Sequence, residues 1–202
     1  MKNRMRLRKR YEQGLTLIEA SMVLALSAVV VAGVMLYYQS ASDNNRLQNA
    51  QGEFGSLQTI VQGVYAGRNG YDGLSTAIAY GNSAIPPNLL KAGTGTDLGK
   101  LVPVTPWGGA VQLGYSADGT AIVADGTAVP GGQKTYAIEF AGVPQGACDP
   151  LSTQVIGSSL QSVSIDTVLM HMDSDGGADP VTVGEQCAKA TPATHDIIWT
   201  LR

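Results

Sequence analysis

The sequence predicts an α+β protein, in which one long N-terminal α-helix packs on a mainly antiparallel β-sheet. Three observations predict it. No proline interrupts residues 15–67. Within that stretch Leu47, Ala50, Phe54, Leu57, Val61 and Val64 recur at steps of three and four, the apolar stripe of an amphipathic helix. Beyond residue 109 the chain breaks into short alternating or apolar runs, separated by Asp-Gly and Pro-Gly-Gly turn signals.

The helix is preceded by Lys2, Arg4, Arg6, Arg8, Lys9 and Arg10. From Leu15 to Leu36 there are 22 residues, and Glu19 is the only charged one. At ~1.5 Å per residue this run crosses the hydrocarbon core of a bilayer. The basic flank stays cytoplasmic, so the C-terminal bulk is sent across the membrane. A secretory signal has a shorter apolar region followed by a small-residue cleavage site. A plain membrane anchor is the closest rival reading, and it leaves Gly14 and Glu19 without a purpose. A carboxylate inside a membrane helix costs a few kcal/mol, which marks Glu19 as a candidate functional residue.

After Tyr37-Tyr38 the chain turns polar, and Gln48, Gln51, Glu53, Gln58 and Gln62 are assigned to the helix faces away from the stripe. One helix of about 50 residues, near 75–80 Å, follows from these patterns. Gly33, Gly52, Gly55 and Gly63 each weaken it by up to ~1 kcal/mol, so its second half needs packing against a sheet. Residues 67–73 end it. Residues 68–109 read as a long connection with short helical patches near 74–79 and 87–91. Strands are predicted at 110–116, 120–124 and 134–140, the first two as a hairpin. Asp149-Pro150 reads as an N-cap with proline at the first helical position, opening a helix over 150–159. Strands at 162–172 and 196–201 complete the sheet. The domain organisation is a leader at 1–14, an apolar helix at 15–42 and a globular head at 43–202.

Composition narrows the function. The formal charge is −3, but removing residues 1–14 leaves 7 basic and 15 acidic residues, a charge of −8. That opposes a nucleic-acid-binding surface and suits a head exposed to water. Cys148 and Cys187 would meet an oxidising compartment, where such a pair forms a disulfide closing a loop of about 40 residues. Two free buried thiols are the alternative. His171 and His195 bear no spacing relation to the cysteines or to a serine motif, so no catalytic or metal site is assembled and no cofactor is implied. Residues 173–179 alternate acids with glycines in the manner of a calcium loop. They lack the distal Glu of that pattern, and Asp and Gly also build ordinary turns. Trp107 and Trp199 read as core or edge aromatics.

The N-terminal junction resembles the class III signal of type IV prepilins. Gly14 stands before the cut, Leu15 is the apolar first mature residue, Glu19 is the fifth, and the apolar run continues to Leu36. A leader of 14 residues and Leu15 in place of Phe resemble the type IVb branch, whose thin pili include conjugative and adhesive examples. Thr105-Pro106-Trp107-Gly108-Gly109 is similar to a segment ahead of the sheet in many of these pilins. The resemblance implies a pilin fold, cleavage after Gly14 by a prepilin peptidase, and methylation of the Leu15 amine. It implies an inner-membrane precursor with its head in the periplasm. An assembly ATPase and an inner-membrane platform would extract the subunit into a surface filament of copies of itself, used for adhesion, aggregation or conjugative cell contact. Glu19 would pair with the Leu15 amine of an adjacent subunit. A type II secretion pseudopilin and a minor tip pilin or adhesin share the signal and remain alternatives.

Overall fold

The computed structural model describes residues 16–79, 85–93, 100–116, 120–122, 128–130 and 134–202. Gly14, Leu15 and the turns expected at Asp118-Gly119 and Gly131-Gly132 lie outside them. The chain forms two compact units, divided between Ser42 and Asp43.

Helix α1 runs Leu17–Val64, 48 residues. Ala50, Glu53, Phe54, Leu57, Ile60 and Val61 are its buried residues. Two expectations are corrected here. Val64 belongs to the expected stripe but is 52% exposed, and Ile60 is buried instead. Glu53, expected on an outer face, is fully buried. It lies three residues after Ala50 and four before Leu57, so it shares their face.

The head's main sheet has seven strands. They are β3 (Val111–Ser116), β4 (Thr120–Ile122), β5 (Ala128–Pro130), β6 (Thr135–Pro144), β7 (Leu160–Ile165), β8 (Val168–Leu169) and β9 (Thr194–Leu201). Their spatial order is β5-β4-β3-β6-β9-β7-β8, and every pairing is antiparallel. The connection 68–109 carries 3-10 turns at Thr76–Ala79 and Pro87–Leu89, where helical patches were expected. It also carries a two-stranded pair the sequence did not reveal, β1 (Leu90–Ala92) with β2 (Leu101–Pro103).

Three further corrections concern the second half. The helix expected over 150–159 is α2, Gln145–Ser152, with Pro144 at its N-cap and Pro150 inside it. Burial of Ala147, Cys148 and Leu151 holds this turn of helix despite the N–H that Pro150 lacks. The N-cap and proline pair operates instead at Asp179-Pro180, opening α3 (Pro180–Cys187), a helix not foreseen. The single strand expected over 162–172 is β7 and β8, joined at Asp166 and Thr167. Both residues have positive φ (51° and 70°), the conformation of a tight hairpin turn, achieved here without glycine.

The core forms where α1 meets β6 and β9. The Phe54 ring lies 4.9 Å from Trp199 and 6.3 Å from Phe140, and Phe140 lies 5.3 Å from Trp199, all edge-on. Such pairs are worth roughly 0.5–1.5 kcal/mol each beyond their area. The Thr105–Gly109 segment is built for close approach. Gly108 has φ +92°, and a β-carbon on Gly109 would sit 1.8 Å from the Ala141 carbonyl oxygen. The Thr105 hydroxyl accepts from the Gly109 N–H at 2.9 Å, closing the turn.

Neither Glu53 carboxylate oxygen finds a hydrogen-bond partner among the described residues, and burial pushes the carboxyl from 4.5 up to about 8. The unfolded chain releases this proton near pH 4.5, while the folded head keeps it to about 8. Head stability therefore falls as pH rises between those values and is insensitive to this group above and below them. Glu53→Gln should abolish that slope and gain about 3–5 kcal/mol over the natural chain at alkaline pH, with little gain in acid. Urea melts of both proteins across this pH range measure it.

Candidate functional site

Thr16 immediately precedes α1, and the Glu19 N–H donates to its hydroxyl at 3.3 Å. Thr16-Leu17-Ile18-Glu19 has the spacing of a capping box, with Thr at the N-cap and Glu three residues on. The positive end of the helix dipole also favours an acid there. Glu19 thus has a local structural reason for its position, a pattern that was legible in the sequence and not drawn from it. Its side chain is exposed.

The rest of this segment is an unburied apolar surface. Its 18-residue apolar window has a mean hydropathy of 2.2, and none of it is buried within the chain. Leu17 is 87% exposed, Leu24 71% and Val29 72%. The two serine hydroxyls in the run do not cost it a bare donor. Ser21 donates to the Ile18 carbonyl and Ser27 to the Val23 carbonyl, each at 2.7 Å. Ala20, Ala25, Ala28, Ala32 and Gly33 are small and permit close helix approach. Such a helix is stable in lipid or against other apolar helices.

In the head, the structure joins Cys148 of α2 to Cys187 of α3 in a disulfide, with Cα atoms 5.8 Å apart. Among the described residues, the one trio of His, Cys, Asp or Glu close enough to share an ion is Cys148, Asp149 and Cys187, whose two sulfurs are bonded to each other. The acidic segment 173–179 is a turn and a cap. Met172 bridges Ala178, and the Gly176 N–H donates to the Asp173 carbonyl. The Asp179 carboxylate accepts from Val181 N–H at 3.0 Å and Thr182 N–H at 3.3 Å, and the Val181 bond foremost holds its carboxyl below the usual range. Trp199 is core, whereas Trp107 is half-buried beside a groove of about 430 Å³ that Arg46, Leu47 and Ala147 also line.

His195 does what its sequence position did not disclose. It is fully buried, with Nδ1 2.6 Å from the Asp166 carboxylate and Nε2 3.1 Å from the Cys187 carbonyl. One side chain thereby ties β9 to the β7–β8 turn and to the end of α3. The other Asp166 oxygen accepts from the Asp196 N–H at 3.0 Å, and the Asp196 side chain accepts from the Gly142 N–H at 2.8 Å, at the irregularity in β6.

An unburied apolar helix with an acid in its first turn, continuing into a helix packed on an antiparallel head with a late disulfide, defines a type IV pilin. Comparison with known proteins agrees. The model of the Bundlin family matches residues 39–202. The chain is 35% identical to the major structural subunit of the bundle-forming pilus of Escherichia coli O111:H-, over 92% of this chain and 85% of that one. It is 37% identical to the corresponding subunit of Escherichia coli O127:H6, over 78% of this chain and 72% of that one. In fold it matches the crystal structure of a type IVb pilin from Salmonella typhi, with a TM-score of 0.51 at 18% identity, over 77% of this chain and 97% of that one. The chain belongs to the bundlin family. It is a structural pilus subunit and not an enzyme.

Replacing Cys148 and Cys187 by Ala should cost the head about 3–4 kcal/mol, the chain entropy of a loop this long. His195→Leu, which removes the partner of one Asp166 oxygen and of the Cys187 carbonyl, should cost about 1–3 kcal/mol with the disulfide intact. Urea melts, with and without reductant, separate the two effects.

Proposed function

We propose that this subunit is made as a precursor, cut between Gly14 and Leu15, and polymerised through its apolar helix into a type IVb pilus. A prepilin peptidase adds water across the Gly14–Leu15 amide, and the Leu15 amine released takes a methyl group from a sulfonium methyl donor, which leaves as a thioether while the amine gives up a proton. Glycine before the cut leaves the backbone open to the enzyme. The mature helix waits in the inner membrane with its head in the periplasm. An assembly ATPase and platform then move it into the filament. The finished fibre would serve aggregation and adhesion, or conjugative contact between cells; relatives named for a bundle-forming pilus support a fibre as the product.

The observation that carries this reading is the wholly exposed apolar helix with one acid in its first turn. Leaving lipid is favourable only if neighbouring helices replace its contacts, which the small residues at 20, 25, 28, 32 and 33 allow. Glu19 would meet the Leu15 amine of an adjacent subunit, so that two charges costly in a low-dielectric bundle cancel. The pairing would also fix axial register between subunits.

The capping-box spacing of Glu19 and its place in the first turn of α1 make the choice of variant decisive. Glu19→Gln retains a capping-box residue and loses the charge. Both Glu19→Gln and Glu19→Ala should be cleaved normally yet lower the filament sheared from cells by about tenfold or more, the effect of losing roughly 1.4 kcal/mol of subunit contact. Natural yield from Glu19→Gln rejects the pairing. Gly14→Arg should leave precursor in the membrane, and mass analysis of the sheared natural subunit should find Leu15 at its start, one methyl heavier. A normal mature mass from Gly14→Arg rejects cleavage at this bond.

A further inference from the structure

Just past the end of α1 the head carries a depression of about 210 Å³, lined by Tyr65, Arg68, Asn69, Tyr71, Lys134 and Arg202. We propose that it is a binding site for an oxyanion, a carboxylate or phosphate group carried on a small body. The chain has only 7 basic residues after Gly14, against 15 acidic ones. Three of those seven line this one depression, brought from positions 68, 134 and 202. Among the described residues none of the three pairs with an Asp or Glu side chain. The negative end of a helix dipole attracts one nearby cation without any ligand. It does not account for three, two of them from distant parts of the chain.

The cations are also positioned. Lys134 has φ +61°, a left-handed conformation that a β-carbon disfavours and that tends to persist where function needs it. Its ammonium donates to the Asn69 side-chain oxygen at 2.6 Å, which leaves two further donors. The Arg68 guanidinium lies over the Tyr65 ring, 5.5 Å from its centre. Arg202 is held through its backbone N–H, which donates to the Ser159 carbonyl at 2.8 Å. The wall is fixed as well. Tyr71 packs 5.5 Å from Tyr65 and 4.6 Å from Tyr136. A planar guanidinium beside an ammonium is the donor set that holds carboxylate or phosphate oxygens. The volume falls below that of sites for drug-sized ligands, about 300 Å³ upward, and suits a single anionic group with at most a small ring.

The test is a melting experiment on the full-length chain in neutral detergent, unpolymerised, so that its outcome is independent of filament assembly. Phosphate and N-acetylneuraminate, each against chloride at matched ionic strength, should raise the melting temperature by about 2–4 °C, while neutral lactose does not. Phosphate also stabilises proteins by exclusion from their surface, and that part is unchanged by a point substitution. Arg68→Gln and Lys134→Gln should therefore each remove half or more of the shift, and Lys189→Gln, outside the depression, none. Equal shifts in all four proteins, or no shift beyond chloride, overturn the site. Filaments sheared from cells that disperse in phosphate but not in matched chloride would assign the anion to a carboxylate of a second copy. Filaments that stay intact would assign it to a free ligand.

Discussion

Phe54 wedged against Trp199 and Phe140 is the contact on which the head is organised. It fixes which face of α1 belongs to the sheet, and the buried row from Ala50 to Val61 follows. Without it the glycines at 52, 55 and 63 would leave the second half of the helix marginal. The same helix carries, from Leu17 to Leu36, aliphatic side chains that the rest of the chain does not bury. One element is therefore written for two surroundings. Its second half finds an apolar partner within the chain, and its first half needs one from outside.

What could be read from the residues was whatever depends on neighbours in sequence. The 48-residue helix, the strands around Leu113, Ile138 and Trp199 and the cysteine pair all rest on period, propensity or compartment. What could not be read depends on residues far apart. Asp149-Pro150 and Asp179-Pro180 are the same dipeptide, yet only the second caps a helix. The start of α2 is set where β6 ends at Pro144, which no local cue reports. Glu53 carries the composition of an outer face and the address of an inner one, and only the docked sheet decides between them. His195 and Asp166 are 29 residues apart, and their contact exists because β9 lies beside β7. Of the candidate site, Glu19 and the apolar run were plain in the sequence. The three cations around Tyr65 and Tyr71 were not, because folding alone gathers them.

The region between the cysteines is bound to the sheet at several points. The disulfide joins α2 to α3, His195 reaches both the end of α3 and the β7–β8 turn, and Asp179 secures the start of α3. Fastenings of different chemistry on one short region suit a structural pilus subunit whose head must keep its form at the cell surface.

Strand β9 lies between β6 and β7, although it is the last strand in the chain. The sheet cannot close until Thr194–Leu201 has been synthesised. Until then Trp199 is missing from beneath Phe54, and the greasy face of α1 has no cover. Such long-range pairing is slow to form and leaves partly folded chains prone to clumping. Subunits still emerging therefore stay open until their final residues arrive, and a chain stopped short of β9 has no finished state to reach.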